Sequence, residues 1–127
     1  MKRLLIAATV IAVITIGSAA GVVFFSGGEP EFQTISDSAP ADYEYFIPQG
    51  TGDRIDAGEA ISIIPAELDV RVGESIRIVN NDERGHVVGA FFVGPGETMS
   101  QAFASPGTLS GGCTIHSSGE FTLQVHE

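Results

Sequence analysis

Two histidines and the only cysteine are the residues of this chain best suited to chemistry. Cys113 and His116 form a Cys-x-x-His sequence, and His86 stands at the start of an apolar stretch far away in the sequence. One thiolate and two imidazoles suit copper in a trigonal site with a weak axial ligand, and they would also satisfy zinc with an open fourth position. We therefore predict a metal site at His86, Cys113 and His116, and we favour copper over zinc.

The elements that must position these residues are predicted to be β-strands. Apolar and polar residues alternate along three segments after residue 43, with apolar members Leu68, Val70, Val72, Ile76, Ile78, Phe121, Leu123 and Val125. Turn-forming Gly, Pro and Asn residues separate such segments at intervals of about ten residues. This pattern predicts an all-β sandwich, and no segment after residue 30 shows a helical period.

The N-terminus predicts export. Residues 4–25 carry no charge and follow Lys2 and Arg3. As a helix this stretch would be about 33 Å long, enough to cross a bilayer, with the rest of the chain on the extracytoplasmic side. We expect a signal-anchor over residues 1–25, a flexible acidic linker over 26–42 and a folded domain over 43–127. The alternative is cleavage after Ala20 and secretion.

The charge of the chain excludes one class of partner. Six Lys and Arg residues oppose 16 Asp and Glu residues, for a net charge of -10. Without Lys2 and Arg3 the exported part carries 4 - 16 = -12. Such a chain is not expected to bind nucleic acid, which needs a basic face. The acidity favours solubility, or it steers a partner that has a basic surface.

Catalysis is not predicted. The sequence contains no Ser-His-Asp set, no plausible acid pair and no phosphate-cradling glycine motif, and 127 residues leave little room for a substrate pocket. We therefore do not expect an enzyme.

A series of motifs between residues 43 and 125 resembles the cupredoxin superfamily, the small copper-binding sandwiches of the plastocyanin and amicyanin type. The motifs are, in order, Val72-Gly73-Glu74, Asn80-Asn81-Asp82 before His86, Pro95-Gly96-Glu97-Thr98, Phe103-Ala104-Ser105-Pro106-Gly107-Thr108 and Cys113-Thr114-Ile115-His116. The resemblance implies a Greek-key β-sandwich and one-electron transfer between redox proteins. It also implies that His86, Cys113 and His116 are the equatorial copper ligands.

The chain departs from that family at the axial ligand. Short-loop members place a methionine three residues after the second histidine, where this chain has Gly119. The axial position would then be empty, or filled by water, Glu120 or Met99. An empty position raises the potential of the copper, whereas an oxygen donor lowers it.

Two further hypotheses remain open at this stage. The missing methionine is compatible with a copper-binding store or sensor that transfers no electrons. The chain is also compatible with a metal-free sandwich that serves in adhesion or assembly, in which Cys113 and the histidines only pack. Gly111 and Gly112, directly before the cysteine, mark either a bulge or a close backbone approach to the site. His126, next to the C-terminus, is expected to be solvated.

Overall fold

The computed structural model describes residues 28–127, so the predicted N-terminal membrane helix lies outside the described residues. Within the described range, no helix is long and apolar enough to cross a membrane. The elements are β1 (Phe32–Thr34), β2 (Tyr43–Ile47), α1 (Thr51–Asp56), β3 (Glu67–Arg71), β4 (Ser75–Asn80), β5 (His86–Val88), β6 (Phe91–Val93), β7 (Thr98–Phe103), β8 (Gly107–Gly112) and β9 (Glu120–His126).

The strands form two sheets and a hairpin. One sheet has the order β1-β7-β4-β2, the other has the order β3-β9-β8, and β5 pairs only with β6 in a two-stranded unit. The pairs β2–β4 and β3–β9 are parallel, and the remaining pairs are antiparallel. Parallel pairs need crossover connections, so each of these two pairs joins strands distant in sequence.

The core lies between the two sheets and is closed at one side by the hairpin. Its buried members from the strands are Ile47, Leu68, Val70, Ile76, Ile78, Val88, Phe91, Val93, Phe103, Phe121, Leu123 and Val125. The predicted alternation is confirmed in β3 and β9, where every second residue is apolar and buried. In β4 the predicted Ile76 and Ile78 belong to the core, but Ser75 and Arg77 are buried as well. Val72 is the exception, since it follows the end of β3 and is 40% exposed.

The prediction of a flexible linker is wrong for residues 28–42, the part of it that the structure describes, because this part contains the strand β1. Phe32 in β1 pairs with Phe103 in β7, and the Phe32 ring lies 4.9 Å from the ring of Phe91 in an edge-to-face arrangement. Aromatic contacts of this kind add to the burial of the rings. The folded domain therefore begins before residue 43.

Arg77 holds the segment that follows β1 against the sheet. Its side chain is 8% exposed and donates hydrogen bonds to the carbonyls of Ser36 and Ala39, to Ser100 Oγ and to the carboxylate of Glu44. A buried guanidinium is tolerated only when its donors are satisfied, and here the carbonyls of an irregular segment satisfy them. Residues 36–39 are thus part of the domain rather than a tether.

The prediction that no helix follows residue 30 is also wrong, because the chain forms the short helix α1. It has six residues and begins after Gly50, whose φ of 86° is in the left-handed region that favours glycine. Arg84 binds Asp53 at 3.0 Å and Asp56 at 2.6 Å, which joins α1 to the loop between β4 and β5. The helix therefore lies beside the loop that leads to His86.

Candidate metal centre

His86, at the start of β5, and Cys113, directly after β8, are both buried and lie on segments that pair with each other. Val88 and Cys113 form an isolated antiparallel bridge, and the next residues are joined by the Thr114 N–H to the Val87 carbonyl at 2.9 Å. His86 lies two residues before Val88 and points to the same side of the strand. His86 and Cys113 are both buried, and the His86 ring contacts Thr114, the residue directly after Cys113.

His86 is held at both ring nitrogens. Its exposed fraction is 2%, its Nε2 lies 2.8 Å from Asp82 Oδ2, and its Nδ1 lies 3.0 Å from Thr114 Oγ1. Burial alone would raise the pKa of Asp82. Hydrogen bonds from His86 and from the backbone N–H groups of Gly52, Glu83 and Gly50 outweigh it and lower this pKa to about 2. Asp82 is therefore an ionised, buried partner of the ring.

Cys113 is a buried thiol with two backbone donors directed at its sulfur. Burial raises its pKa, while the N–H groups of Ile115 and His116 act in the opposite direction. The Cys113 N–H donates to the Gly119 carbonyl at 2.8 Å, and the Gly119 N–H donates to the His116 carbonyl at 2.9 Å. Burial keeps the uncomplexed thiol protonated, and the two donors are in place to stabilise a thiolate when a cation replaces the proton.

Gly119 serves the turn that closes this loop. Its φ is 75°, a conformation that side-chain-bearing residues rarely adopt. The turn explains in physical terms why the position of the expected axial methionine holds a residue without a side chain.

His116 is not brought together with the other two predicted ligands. Its Nδ1 accepts the Ser118 N–H at 3.0 Å and lies 2.7 Å from Ser118 Oγ, and its ring lines a surface groove beside Glu59 and Ile61. Among residues 28–127, no three His, Cys, Asp or Glu side chains are arranged so that they could hold one metal ion. In the structure His86 thus contacts Asp82 and Thr114, and His116 contacts Ser118 within its own turn.

The two predicted axial side chains belong to different sheets. Glu120 is exposed and pairs with Gly112 on the outer face of its sheet, because the inward positions of β9 begin with Phe121. Met99 pairs with Ile78 and packs, partly buried, against the core from the other sheet.

The segment that contains α1 also contacts the Cys113–His116 loop. The Ile63 N–H donates to the Ile115 carbonyl at 2.9 Å, and Ser62 Oγ lies 3.2 Å from Ser117 Oγ. These contacts, with those of α1 to the β4–β5 loop, connect both halves of the candidate site through one segment.

Two residues of the site were not predicted from the sequence. From the sequence, Asp82 was named only as part of the Asn80-Asn81-Asp82 motif, whereas in the structure its carboxylate contacts the His86 ring. Thr114 was treated only as part of the loop. The available signals were the four-residue spacing of Asp82 and His86 and the hydroxyl directly after the cysteine.

Comparison with protein-family models and with curated proteins gives no significant match. Among solved structures, amicyanin from Paracoccus versutus has 16% identity and a TM-score of 0.48, over 77% of this chain and 100% of that one. A reduced Cu(I) form of an amicyanin mutant has 16% identity and a TM-score of 0.46, over 78% and 100% of the two chains. Another reduced amicyanin mutant has 18% identity and a TM-score of 0.47, over 75% and 98%. These similarities are too low to assign a family or a function.

Proposed function

We propose that this chain is an extracytoplasmic copper-binding protein of the cupredoxin type that transfers single electrons, with His86, Cys113 and His116 as ligands. The observation that supports the proposal is that His86 and Cys113 are both buried and lie on segments joined by the Val88–Cys113 bridge. A cysteine and a histidine in this arrangement supply the sulfur and nitrogen donors that copper prefers.

The residues around the pair fit such a group. Two backbone N–H groups are directed at the Cys113 sulfur, and Asp82 holds the His86 ring at the nitrogen remote from Thr114. His116, three residues after Cys113, would supply the third donor. Bound copper would supply one-electron redox chemistry, and the apolar core around the pair keeps water away from it.

Titration of the detergent-solubilised chain with Cu(II), followed by visible absorption and EPR, tests the proposal. We expect an intense thiolate-to-copper charge-transfer band in the wild type and its complete loss in Cys113→Ala. A Zn²⁺ titration followed by thermal unfolding serves as the comparison, because zinc binding at the same residues gives no colour. If copper changes neither the spectrum nor the melting temperature of the wild type, the metal-free sandwich replaces this proposal.

We further propose that residues 4–25 anchor the domain and that the candidate site faces away from the membrane. Pro30 is buried, and a Cβ on Gly107 would lie 2.7 Å from its nitrogen, so the chain enters the domain at the start of β8. Cys113 follows the other end of β8. Six strand residues extend about 20 Å, which separates the entry point from the site.

Membrane extraction tests the anchor. The full chain is expected to stay with the membrane fraction after high-salt washing, whereas a chain that starts at residue 28 should be released. A mature N-terminus directly after Ala20, found by mass spectrometry, would show secretion instead and would contradict the anchor.

A further inference from the structure

One aromatic side chain is held on the surface with most of its area open to solvent. Phe92, in the middle of β6, is 66% exposed. A Cβ on Gly85 would lie 2.7 Å from Phe92 Cε2, so the ring occupies the space that a side chain at position 85 would need. The glycine thus lets the ring rest against the loop between β4 and β5. An exposed ring that is already held in place has little freedom to lose when it binds a partner.

Phe92 lines a surface groove of about 410 Å³. The rest of the lining comes from the end of β1 and the segment after it, from Val93, and from Glu97 with the first residues of β7. Met99 belongs to this lining and is partly buried against the core. The groove therefore offers an aromatic ring and a thioether side chain as apolar contact surfaces.

Two carboxylates, those of Asp37 and Glu97, line the same groove. Asp37 Oδ1 accepts a hydrogen bond from the Ser100 hydroxyl at 2.9 Å, and the Ser100 oxygen accepts one from Arg77 Nε at 3.0 Å. Glu97 Oε2 accepts the Gly94 N–H at 3.2 Å. Each carboxylate is thus held by a hydrogen bond to one of its oxygens, while both residues remain exposed.

No cation of the described domain pairs with these two carboxylates. Within residues 28–127 neither Asp37 nor Glu97 forms an ion pair. The arginines of the domain are engaged elsewhere, namely Arg54 by Glu59, Arg77 by Glu44, Arg84 by Asp53 and Asp56, and Arg71 by the Glu127 carbonyl. The only lysine of the chain is Lys2, which lies outside the described residues. A cation in this groove must therefore come from outside the domain, and a second copy would bring the same engaged arginines.

We propose that this groove docks a basic partner protein by taking one of its arginine or lysine side chains among Phe92, Asp37 and Glu97. The cationic head would pair with the carboxylates and lie over the aromatic ring, and its apolar stem would contact Met99. The charge of 4 - 16 = -12 on the exported part attracts such a partner over a longer range. The groove contains none of the candidate metal ligands, so docking does not depend on copper.

Fluorescence anisotropy of a dye-labelled peptide of alternating arginine and glycine tests this docking surface. The metal-free full chain in a nonionic detergent is expected to bind it, and not to bind a peptide with glutamate in place of arginine. Phe92→Ala should weaken binding about 2- to 5-fold, the usual size of an exposed cation–π contact. Glu97→Gln should weaken binding as well, because it removes one of the two charges that pair with the arginine.

Phe46→Ala and Glu67→Gln are the matched controls. Phe46 is 53% exposed on β2, Glu67 is exposed on β3 in the other sheet, and neither lines the groove. We expect both variants to bind the arginine peptide as the wild type does. Equal losses in the groove and control variants would show that only the net charge attracts the peptide, and they would overturn the proposal. The absence of binding to the wild type would overturn it too.

Sedimentation of the wild type and of Phe92→Ala tests a second copy of the chain as the occupant. We expect the two to sediment alike. Self-association that Phe92→Ala abolishes would assign the groove to a second copy and would overturn the docking of a basic partner. A chain that binds the arginine peptide but no copper would contradict the proposed function alone.

Discussion

Replacing His116 with alanine is expected to weaken copper binding by more than about 100-fold, because the loss of a direct ligand should exceed the loss of an outer hydrogen-bond partner. The structure makes this a demanding test, since His116 Nδ1 is engaged by Ser118 at 2.7 Å and 3.0 Å. Copper must replace both contacts. Competition with a chelator of known affinity, followed by the charge-transfer band, measures the change.

His126→Ala is the control for this prediction. His126, the last residue of β9, has a side chain that is 53% exposed, and its Nε2 lies 3.0 Å from Asp69 Oδ1 in β3. We expect His126→Ala to bind copper as the wild type does. Unchanged copper affinity in His116→Ala would show that His86 and Cys113 bind without this third residue, and the predicted ligand set would be wrong.

The sheets could be predicted from the sequence because burial imposes a period of two on their strands. In β9 the inward residues Phe121, Leu123 and Val125 alternate with outward ones, as predicted. The edge strand β1 has only three residues and no fully buried side chain, so it leaves no such period. The helix α1 is too short to show a helical period in the sequence. It is held by contacts with Asp82 and Arg84, which are distant from it in sequence.

The candidate site could be predicted only as far as residue type and spacing allow. His86 and Cys113 were identified by their donor atoms, and the Val88–Cys113 bridge joins the two segments that carry them. The partner of His86 depends on the shape of the β4–β5 loop, which no periodicity encodes. The outward direction of Glu120 was available from the sequence, because its neighbour Phe121 had already been predicted to face the core.

Of the two glycines before Cys113, only Gly111 lies in close contact with a neighbouring backbone segment. A Cβ on Gly111 would lie 3.0 Å from the backbone of Gly89, whereas a Cβ on Gly112 would meet only the Gly119 carbonyl at 3.9 Å. The Gly89 N–H also donates to the Gly112 carbonyl at 2.8 Å. Gly111 is therefore the residue that lets β8 approach the β5–β6 turn.

Gly111→Val is expected to lower the free energy of unfolding by about 1–3 kcal/mol, the usual cost of inserting atoms into a packed contact. The backbone of Gly89 must move to make room, and Gly89 directly follows β5, which begins with His86. The substitution should therefore move His86 relative to Cys113 and weaken copper binding as well. Urea unfolding of the metal-free chain and copper competition measure the two effects.

Gly112→Val is the matched control in the same strand. Its side chain would point to the outer, exposed face, where a β-branched residue suits a strand. We expect no loss of stability and no change in copper affinity. If Gly111→Val lowers stability but leaves copper affinity unchanged, the distance between β5 and β8 does not control the metal site. Equal effects of the two valines would instead show that the cost arises from losing glycine in β8, and not from the contact with Gly89.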